Sequence, residues 1–312
     1  VTGTDQNLES GRLVFGDQRG YTSTPMTQQP FFQRGPRGYR VDGPQLHAQN
    51  RKKLVAELTK RFAATGRPNQ GVVLVRGGDD ANRFDTDHEL LFRQESYFHY
   101  LFGVKEPGFW ACIELPTGRA TLFQPRLPAE YAVWMGAIKD ACHFQATYGV
   151  DRVRYVDEMR ALVGELDGPI FVIKGANTDS SKNLFDCLPV ADGLPPAATV
   201  DDSGLLHSVL AGCRVVKSAA EIELMRFSSY AASRAHVEVM RTAQPGLSEF
   251  QLESTFLFHL AFHFGICLAA YTPICACGPN AATLHYGHAG APNERLLEAT
   301  DMALIDLGGE SH

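Results

Sequence analysis

The chain lacks any long hydrophobic run and any excess of positive charge. No apolar run approaches the roughly 20 residues that a membrane-spanning helix needs, and the first residues lack the basic and then apolar pattern of a signal peptide. Its 29 basic and 35 acidic residues give a formal net charge of −6, without the basic stripe that binding to a phosphate backbone requires. These absences argue against a membrane protein and against a nucleic-acid partner.

Several catalytic and binding motifs are also missing. The sequence has no glycine-rich nucleotide fingerprint, no serine-hydrolase elbow, no two-histidine zinc-protease motif and no N-glycosylation site. Its seven cysteines form no Cys-x-x-Cys pair and stand among apolar residues, which predicts buried thiols in a reducing, cytoplasmic compartment. Cys275 and Cys277 are two apart on a predicted strand and share a face, where core packing is favoured over metal binding.

The sequence has ample material for two globular domains, with 312 residues of which 44% are hydrophobic and 10% aromatic. Residues 1–45, rich in Gly, Gln, Pro and Arg, are interpreted as a flexible extension. Residues 46–205 alternate predicted helices and short apolar strands and form an α/β domain. Residues 213–312 form the second unit. Within the extension Arg34, Arg37 and Arg40 make either a docking patch or a solvated basic segment, and we favour the solvated segment.

Two long helices open the second unit, at 219–242 and 248–264. Ser218 with Glu221 three residues later is the capping-box pattern of a helix start. His259 and His263 are four apart on the second helix, a spacing that can bind a metal. No Glu follows the first His, so two structural histidines are favoured. The apolar stripe that covers a sheet is predicted to contain Ile222, Met225, Ala232, Val239, Phe250, Phe256, Leu257, Leu260 and Phe264.

Most of the candidate functional residues lie between Tyr271 and Glu310. Turn residues at 278–280 separate two predicted strands, the second of which is 283–286 and carries His285. A later apolar run, 302–307, contains Asp306 and is stopped by two glycines. An acid inside such a run is costly to bury unless it is paired or binds a metal. The spacing alone leaves Asp306 either as a metal ligand or as a salt-bridged or edge-strand residue.

Four segments, taken in order, resemble the prolidases, the Xaa-Pro dipeptidases of the pita-bread metallopeptidase superfamily. The resemblance covers nearly all of the chain after residue 45. Aminopeptidase P and creatinase relatives fit the middle segments less closely. The segments are LFRQESYFHYLFGVKEPG, LFQPRLPAEYAVWMG, CRVVKSAAEIELMR, and LHYGHAGAPN followed by DMALIDLGGE.

The resemblance implies an α/β N-terminal domain followed by the first half of an α+β pita-bread domain. It also implies two Mn²⁺ ions held by two Asp, one His and two Glu, of which Asp306 is the first. His285 is implied to contact the substrate or the developing tetrahedral intermediate, Tyr271 to line the pocket, and His288 to be structural. The chemistry implied is metal-dependent hydrolysis of Xaa-Pro dipeptides.

Prolidases are homodimers in which the N-terminal domain of one subunit approaches the active site of the other. The resemblance therefore makes Trp134 a candidate to cap the neighbour's pocket, and a local core tryptophan is the alternative. Four of the five ligands of the family would lie beyond His312, so the chain is expected to be a fragment that is inactive by itself, with Asp306 solvated and no metal tightly bound. A non-catalytic pita-bread scaffold and an aminopeptidase P-like enzyme are the alternative functions.

Overall fold

The structure, a computed structural model, describes residues 41–181, 199–287 and 293–311. The basic segment and nearly all of the extension predicted for residues 1–45 lie outside the described part. Helices in that part are all too short or too polar to cross a bilayer. The described residues form two units, each around its own buried cluster.

The first unit is a six-stranded mixed sheet covered by helices. Its strands lie in the order β4-β3-β2-β1-β5-β6. They are β1 Val72–Arg76, β2 Trp110–Glu114, β3 Ala120–Gln124, β4 Arg152–Tyr155, β5 Ile170–Val172 and β6 Val200–Asp201. The helices are α1 Gly43–Thr65, α2 Ser96–Phe102, α3 Tyr131–Met135, α4 Ala141–Tyr148, α5 Met159–Gly164 and α6 Leu205–Val215. This arrangement confirms the α/β N-terminal domain.

The ends of α1 follow from local chemistry. The Asp42 side chain accepts a hydrogen bond from the backbone N–H of Gln45 at 2.9 Å, which satisfies one free donor of the first turn. Gly66 adopts a left-handed conformation after the last turn, where its N–H bonds back to the helix. Gly66 therefore ends the helix.

The strands β2 and β3 form a hairpin, and their pairing is antiparallel, with Trp110 opposite Phe123. Every residue of both strands is buried. Strand β1 pairs antiparallel with β2 and parallel with β5. Strands buried on both faces read as continuous apolar runs, which is why β1 was predictable from its sequence.

Helix α6 belongs by packing to the first unit. Leu206, Val209 and Leu210 are buried in the same cluster as the central strands and α1. The two predicted domains were placed at 46–205 and 213–312, and the packing assigns the intervening helix to the first. The boundary itself stays a prediction.

The second unit begins with two packed helices, α7 Ala219–Thr242 and α8 Glu249–Phe264. Both are at the predicted positions, and the capping box of Ser218 with Glu221 is present. The predicted stripe is only partly correct. Val239, Phe256, Leu260 and Phe264 are buried, whereas Ile222, Met225 and Phe250 are exposed. The inward face of α7 instead contains Phe227, Ala231 and Ala235. The two alanines are small and allow α8 to approach closely.

Two short strand pairs complete the second unit. Strand β7 Leu268–Ala269 pairs with β10 Gly309–Glu310, and β8 Ile274–Cys277 pairs with β9 Ala303–Asp306. The predicted strand at 283–286 is wrong. A 3-10 helix follows β8 at Gly278–Ala282, and the next residues form a turn.

The prediction of buried thiols is correct for Cys112, Cys213, Cys275 and Cys277, while Cys142 and Cys267 are exposed. Cys275 and Cys277 do share one face of β8 and pack into the cluster with α7 and α8. The core-packing interpretation of this pair is therefore confirmed.

Candidate functional site

Tyr271 and Asp306 form a direct pair. The Tyr271 hydroxyl donates a hydrogen bond of 2.6 Å to Oδ1 of Asp306. Asp306 is the last residue of β9 and is exposed. One carboxylate oxygen is thus oriented by a neutral donor, while the group stays accessible to solvent.

The hydrogen bond to Asp306 raises the pKa of Tyr271 to about 12, with contributions from partial burial and from the negative charge of the carboxylate. The charged form of a phenol is disfavoured beside an anion. Tyr271 therefore remains a protonated hydrogen-bond donor throughout the physiological pH range.

Gly308 determines where the Tyr271 ring lies. A Cβ atom on this glycine would stand 2.7 Å from Cε1 of Tyr271 and 3.1 Å from its hydroxyl oxygen. The glycine carbonyl also accepts a hydrogen bond of 2.9 Å from the N–H of Ala270. The two glycines after Asp306, which looked like a strand stop in the sequence, thus include one that makes room for the ring.

The register of β8 and β9 defines the face on which Asp306 lies. Ile274 is opposite Asp306 and Ala276 is opposite Leu304, and directly opposed residues of an antiparallel pair project to the same face. Ile274 and Ala276 pack against the buried ring of Tyr286. Tyr286 therefore lies on the face of the strand pair that carries Asp306.

His285 comes immediately before Tyr286 and is exposed on the turn. The N–H of Tyr286 bonds to the carbonyl of Thr283 at 3.2 Å, which closes this turn. At the next residue, Gly287 has a φ of +96°, and a Cβ atom there would stand 2.5 Å from the carbonyl oxygen of Pro273. The turn thus returns to the end of β8 that lies opposite Asp306.

A buried carboxylate, Glu249, binds the residues around the turn that carries His285. The sequence motifs did not identify it. Glu249, in the first turn of α8, is 0% exposed. It accepts hydrogen bonds from the N–H of Cys277 at 2.7 Å, from the Tyr286 hydroxyl at 2.7 Å and from Nδ2 of Asn280 at 3.1 Å. In the sequence Glu249 looks like an ordinary acid at a helix start, and no local pattern marks it as a core residue.

Burial raises the pKa of the Glu249 carboxyl, but the hydrogen bonds from Tyr286, Cys277 and Asn280 outweigh it and hold the pKa below its ordinary value. Burial and the hydrogen bond to Glu249 raise the pKa of Tyr286 to about 12. The carboxylate is therefore ionised and the phenol protonated at neutral pH, the states in which their hydrogen bond is charge-assisted.

Arg93 connects the first unit to the strands beside the site. Its Nη1 is 2.8 Å from Oε2 of Glu310 in β10, and its Nη2 donates to the carbonyl of Ala269 in β7. Arg93 lies within one of the segments that resembled prolidases. Arg93 thus contacts both β7 and β10, close to Tyr271 and Asp306.

Trp134 lies apart in sequence, on the short helix α3 of the first unit. It is 83% exposed, and its neighbours Val133 and Met135 are exposed as well. The alternative that it is a local core tryptophan is therefore wrong. Its role as a cap of a neighbouring pocket stays a prediction.

Among the described residues no three His, Cys, Asp or Glu side chains lie close enough together to hold a metal ion. The rings of His259 and His263 are 4.3 Å apart, centre to centre, on α8. Asp306 offers exposed carboxylate oxygens, the donor type that suits Mn²⁺ and Mg²⁺, and it fits the part of one ligand in a larger set. His288 lies outside the described residues.

The fold agrees with comparisons to protein families. Residues 47–168 match the family model of the aminopeptidase P N-terminal domain, and residues 223–312 match that of metallopeptidase family M24. Residues 223–312 belong to metallopeptidase family M24.

Within that family, the chain is 41% identical over 266 residues to Xaa-Pro dipeptidase from Homo sapiens, and 40% identical over 266 residues to Xaa-Pro dipeptidase from Rattus norvegicus. These matches cover 85% of this chain in both cases, and 52% and 53% of the two relatives. The chain thus spans about half the length of the curated relatives it matches.

Among solved structures, the chain is similar to proline aminopeptidase P II from Yersinia pestis, with a TM-score of 0.66 and 25% sequence identity. The match covers 86% of this chain and 60% of that one. Aminopeptidase PepP from Pseudomonas aeruginosa matches with a TM-score of 0.66 and 27% identity, covering 86% and 59%. These similarities confirm the fold class, an α/β N-terminal domain followed by part of a pita-bread domain.

Proposed function

We propose that the protein to which this chain belongs hydrolyses Xaa-Pro dipeptides. The observation that carries the proposal is the exposed Asp306 carboxylate, oriented by Tyr271, inside the segment that matches metallopeptidase family M24. The identity of 41% to an Xaa-Pro dipeptidase supports this substrate class. The proposal includes a cytoplasmic homodimer.

In this proposal Asp306 is one ligand of a site for two Mn²⁺ ions. When bound, such ions supply a water or hydroxide nucleophile at neutral pH and polarise the scissile carbonyl. The protein's own part is to hold the Asp306 carboxylate in a fixed orientation. Tyr271 does this by donating to Oδ1, which leaves Oδ2 and the outer lone pairs for a cation.

His285 and Tyr271 are proposed to contact the substrate. An exposed imidazole on a closed turn can donate an N–H to a carbonyl oxygen, and this donation strengthens as negative charge develops on that oxygen. The bond before proline is a tertiary amide without an N–H, so the site has to recognise the carbonyl and the free carboxylate of the dipeptide. Trp134, exposed on α3, is proposed to close the pocket of the partner subunit.

An aminopeptidase P-like activity is the second candidate, because the solved structures that match are aminopeptidases P. The two activities differ in substrate length. Gly-Pro cleavage without cleavage of longer Xaa-Pro peptides supports the dipeptidase. The reverse preference supports the aminopeptidase. Cleavage of neither, with the fold intact, supports a non-catalytic scaffold.

The test is hydrolysis of Gly-Pro by the full-length gene product with added Mn²⁺. Asp306→Asn should abolish turnover and lower the bound metal, whereas the exposed loop variant Asp85→Asn should change neither. His285→Ala should lower kcat by roughly 10²-fold with metal content unchanged, the range expected for a lost donor to an oxyanion. Loss of metal in His285→Ala would contradict its assignment as a substrate-binding residue.

Trp134→Ala should raise KM for the dipeptide with little change in melting temperature, because the side chain is exposed.

We further propose that the 312 residues alone are inactive, since one carboxylate cannot compete with water for Mn²⁺. Calorimetric titration with Mn²⁺ should then show no stoichiometric micromolar binding to this chain. Such binding, or turnover, would overturn this part of the proposal.

A further inference from the structure

We propose that Glu249 is a positioning residue that fixes the turn carrying His285 and so sets where the imidazole meets the substrate. This inference rests on the proposed function for its catalytic consequence. Its structural part, the fixing of residues 277–286 by one buried carboxylate, can be tested without any activity.

The first argument is the placement of the hydrogen-bond donors along the chain. The partners of Glu249 are the N–H of Cys277, the amide of Asn280 and the hydroxyl of Tyr286. They lie at the last residue of β8, in the 3-10 helix that follows it and directly after His285. A single side chain thus fixes both ends of the loop, and His285 adjoins one fixed end.

The second argument is that two of the three donors, Asn280 and Tyr286, also bind each other. Asn280 donates to the Tyr286 hydroxyl oxygen at 2.9 Å, and that hydroxyl in turn donates to Glu249. The N–H of Thr283 bonds to the carbonyl of Asn280 at 3.0 Å. Networks that are fully satisfied in a buried setting hold a single conformation, because breaking one bond leaves other polar groups unpaired.

The third argument is the cost of placing an acid there. Glu249 is fully buried on a helix whose other inward residues are apolar, such as Leu252 and Phe256. A buried carboxylate is expensive unless hydrogen bonds replace its hydration. Its three donors lie between residues 277 and 286, on both sides of His285. The hydrogen bonds that replace the hydration of Glu249 are therefore the same ones that fix this turn.

The fourth argument connects the network with Asp306. The Tyr286 ring packs on Ile274, the residue directly opposite Asp306 in the strand pair. A shift of Tyr286 would therefore move His285 relative to the proposed ligand. Displacements of about 1 Å between catalytic groups can lower rates by about 10²-fold.

The structural test uses hydrogen exchange of the 312-residue chain. Tyr286→Phe removes one hydroxyl and keeps the ring. Glu249→Gln removes the negative charge and puts an NH₂ group, which cannot accept a hydrogen bond, in the place of one carboxylate oxygen. Both should speed exchange of the backbone N–H groups in 277–286 at least tenfold. Exchange in α1 and in the six-stranded sheet should not change. Glu253→Gln, four residues later on α8, is the matched control and should leave the loop unchanged.

The kinetic test uses Gly-Pro hydrolysis by the full-length protein. Tyr286→Phe and Glu249→Gln should lower kcat by about 10- to 100-fold with metal content unchanged. In a His285→Ala background, Tyr286→Phe should cause little further loss, because the two residues act through one imidazole. A purely structural role would instead give independent, multiplicative losses.

The outcomes separate the two claims. If the wild-type protein cleaves no Xaa-Pro bond, the proposed function fails, and the exchange measurement still decides whether Glu249 fixes the turn. Unchanged exchange at 277–286 in Tyr286→Phe would overturn the inference whatever the activity. Faster exchange with an unchanged kcat would show that the turn is fixed but that its position does not control the reaction, which also overturns it. If Glu249→Gln does not fold, Tyr286→Phe carries both tests.

Discussion

Strands β3 and β9 have similar apolar sequences and very different surroundings. All five residues of β3, in the first unit, are buried, whereas three of the four residues of β9 are exposed. Met302, just before β9, is 81% exposed, and Leu304 within it is 39% exposed. The comparison teaches that an apolar run predicts a strand, and that only the neighbouring elements decide whether the strand becomes core.

The difference has a consequence for where chemistry is found. A strand that is covered on both sides cannot present a charged group without large desolvation. A strand with one open face can present Asp306 to solvent while its other face packs, as Ile305 does against the helices. The candidate site thus lies in the less covered of the two units.

The largest expected effect contrasts the two strand environments directly. Leu122→Ala in the buried β3 should lower the free energy of unfolding of the first unit by about 2–5 kcal/mol, because it leaves a cavity in a packed sheet. Leu304→Ala in β9 should cost about 1 kcal/mol or less, because little packing is lost at an open face.

Urea unfolding followed by tryptophan fluorescence measures this contrast. The chain has two tryptophans, and a Trp134→Phe background leaves the buried Trp110 of β2 as the only reporter of the first unit. Circular dichroism follows the helices of both units. Equal decreases in the free energy of unfolding for the two substitutions would contradict the proposed difference in packing.

The next effect concerns the glycine beside the site. Gly308→Ala should destabilise the second unit by about 1–3 kcal/mol, because the added methyl overlaps the Tyr271 ring. In the first unit, Gly212→Ala meets no atom within 4 Å on helix α6 and should stabilise slightly. Thermal melting of both variants tests the pair. A neutral Gly308→Ala would mean that Tyr271 does not need its observed position.

The smallest effect distinguishes two tyrosines by the cause of their raised pKa. Burial is the main cause for Tyr148 in the first unit, which donates to Glu106 at 2.5 Å, whereas the hydrogen bond to Asp306 is the main cause for Tyr271. Asp306→Asn should therefore return the pKa of Tyr271 from about 12 toward its ordinary value of 10.0. Glu106→Gln should leave the pKa of Tyr148 raised.

The sign of the pH dependence follows from the raised pKa. Folding favours the protonated phenol, so the contribution of Tyr271 to stability is fully present below pH 10 and is lost as the pH rises through about 12. Ultraviolet titration of wild type minus Tyr271→Phe isolates this one group among the ten tyrosines. An ionisation near pH 10 in the wild type would show that the Tyr271–Asp306 bond is absent in solution.

Much of the fold could be predicted because its signals are local. The glycine that ends α1, the capping box of α7 and the continuous apolar run of β1 are each recorded in a few adjacent residues. Asp306 could be singled out in the same way, as an acid inside an apolar strand. The strand wrongly predicted at 283–286 also came from a local pattern. An alternation of apolar and polar residues occurs there because the turn buries one side chain, that of Tyr286.

The sequence by itself therefore predicted the two long helices of the second unit, the strand β1, the family, and Asp306, Tyr271 and His285 as candidates. Only the tertiary structure decided that Tyr271 donates to Asp306, that Gly308 admits the ring, and that Glu249 binds the loop before His285. The physical reason is distance along the chain. Tyr271 and Asp306 are 35 residues apart, and Glu249 and Tyr286 are 37 apart. Such contacts depend on strand register and helix packing, which no local pattern records.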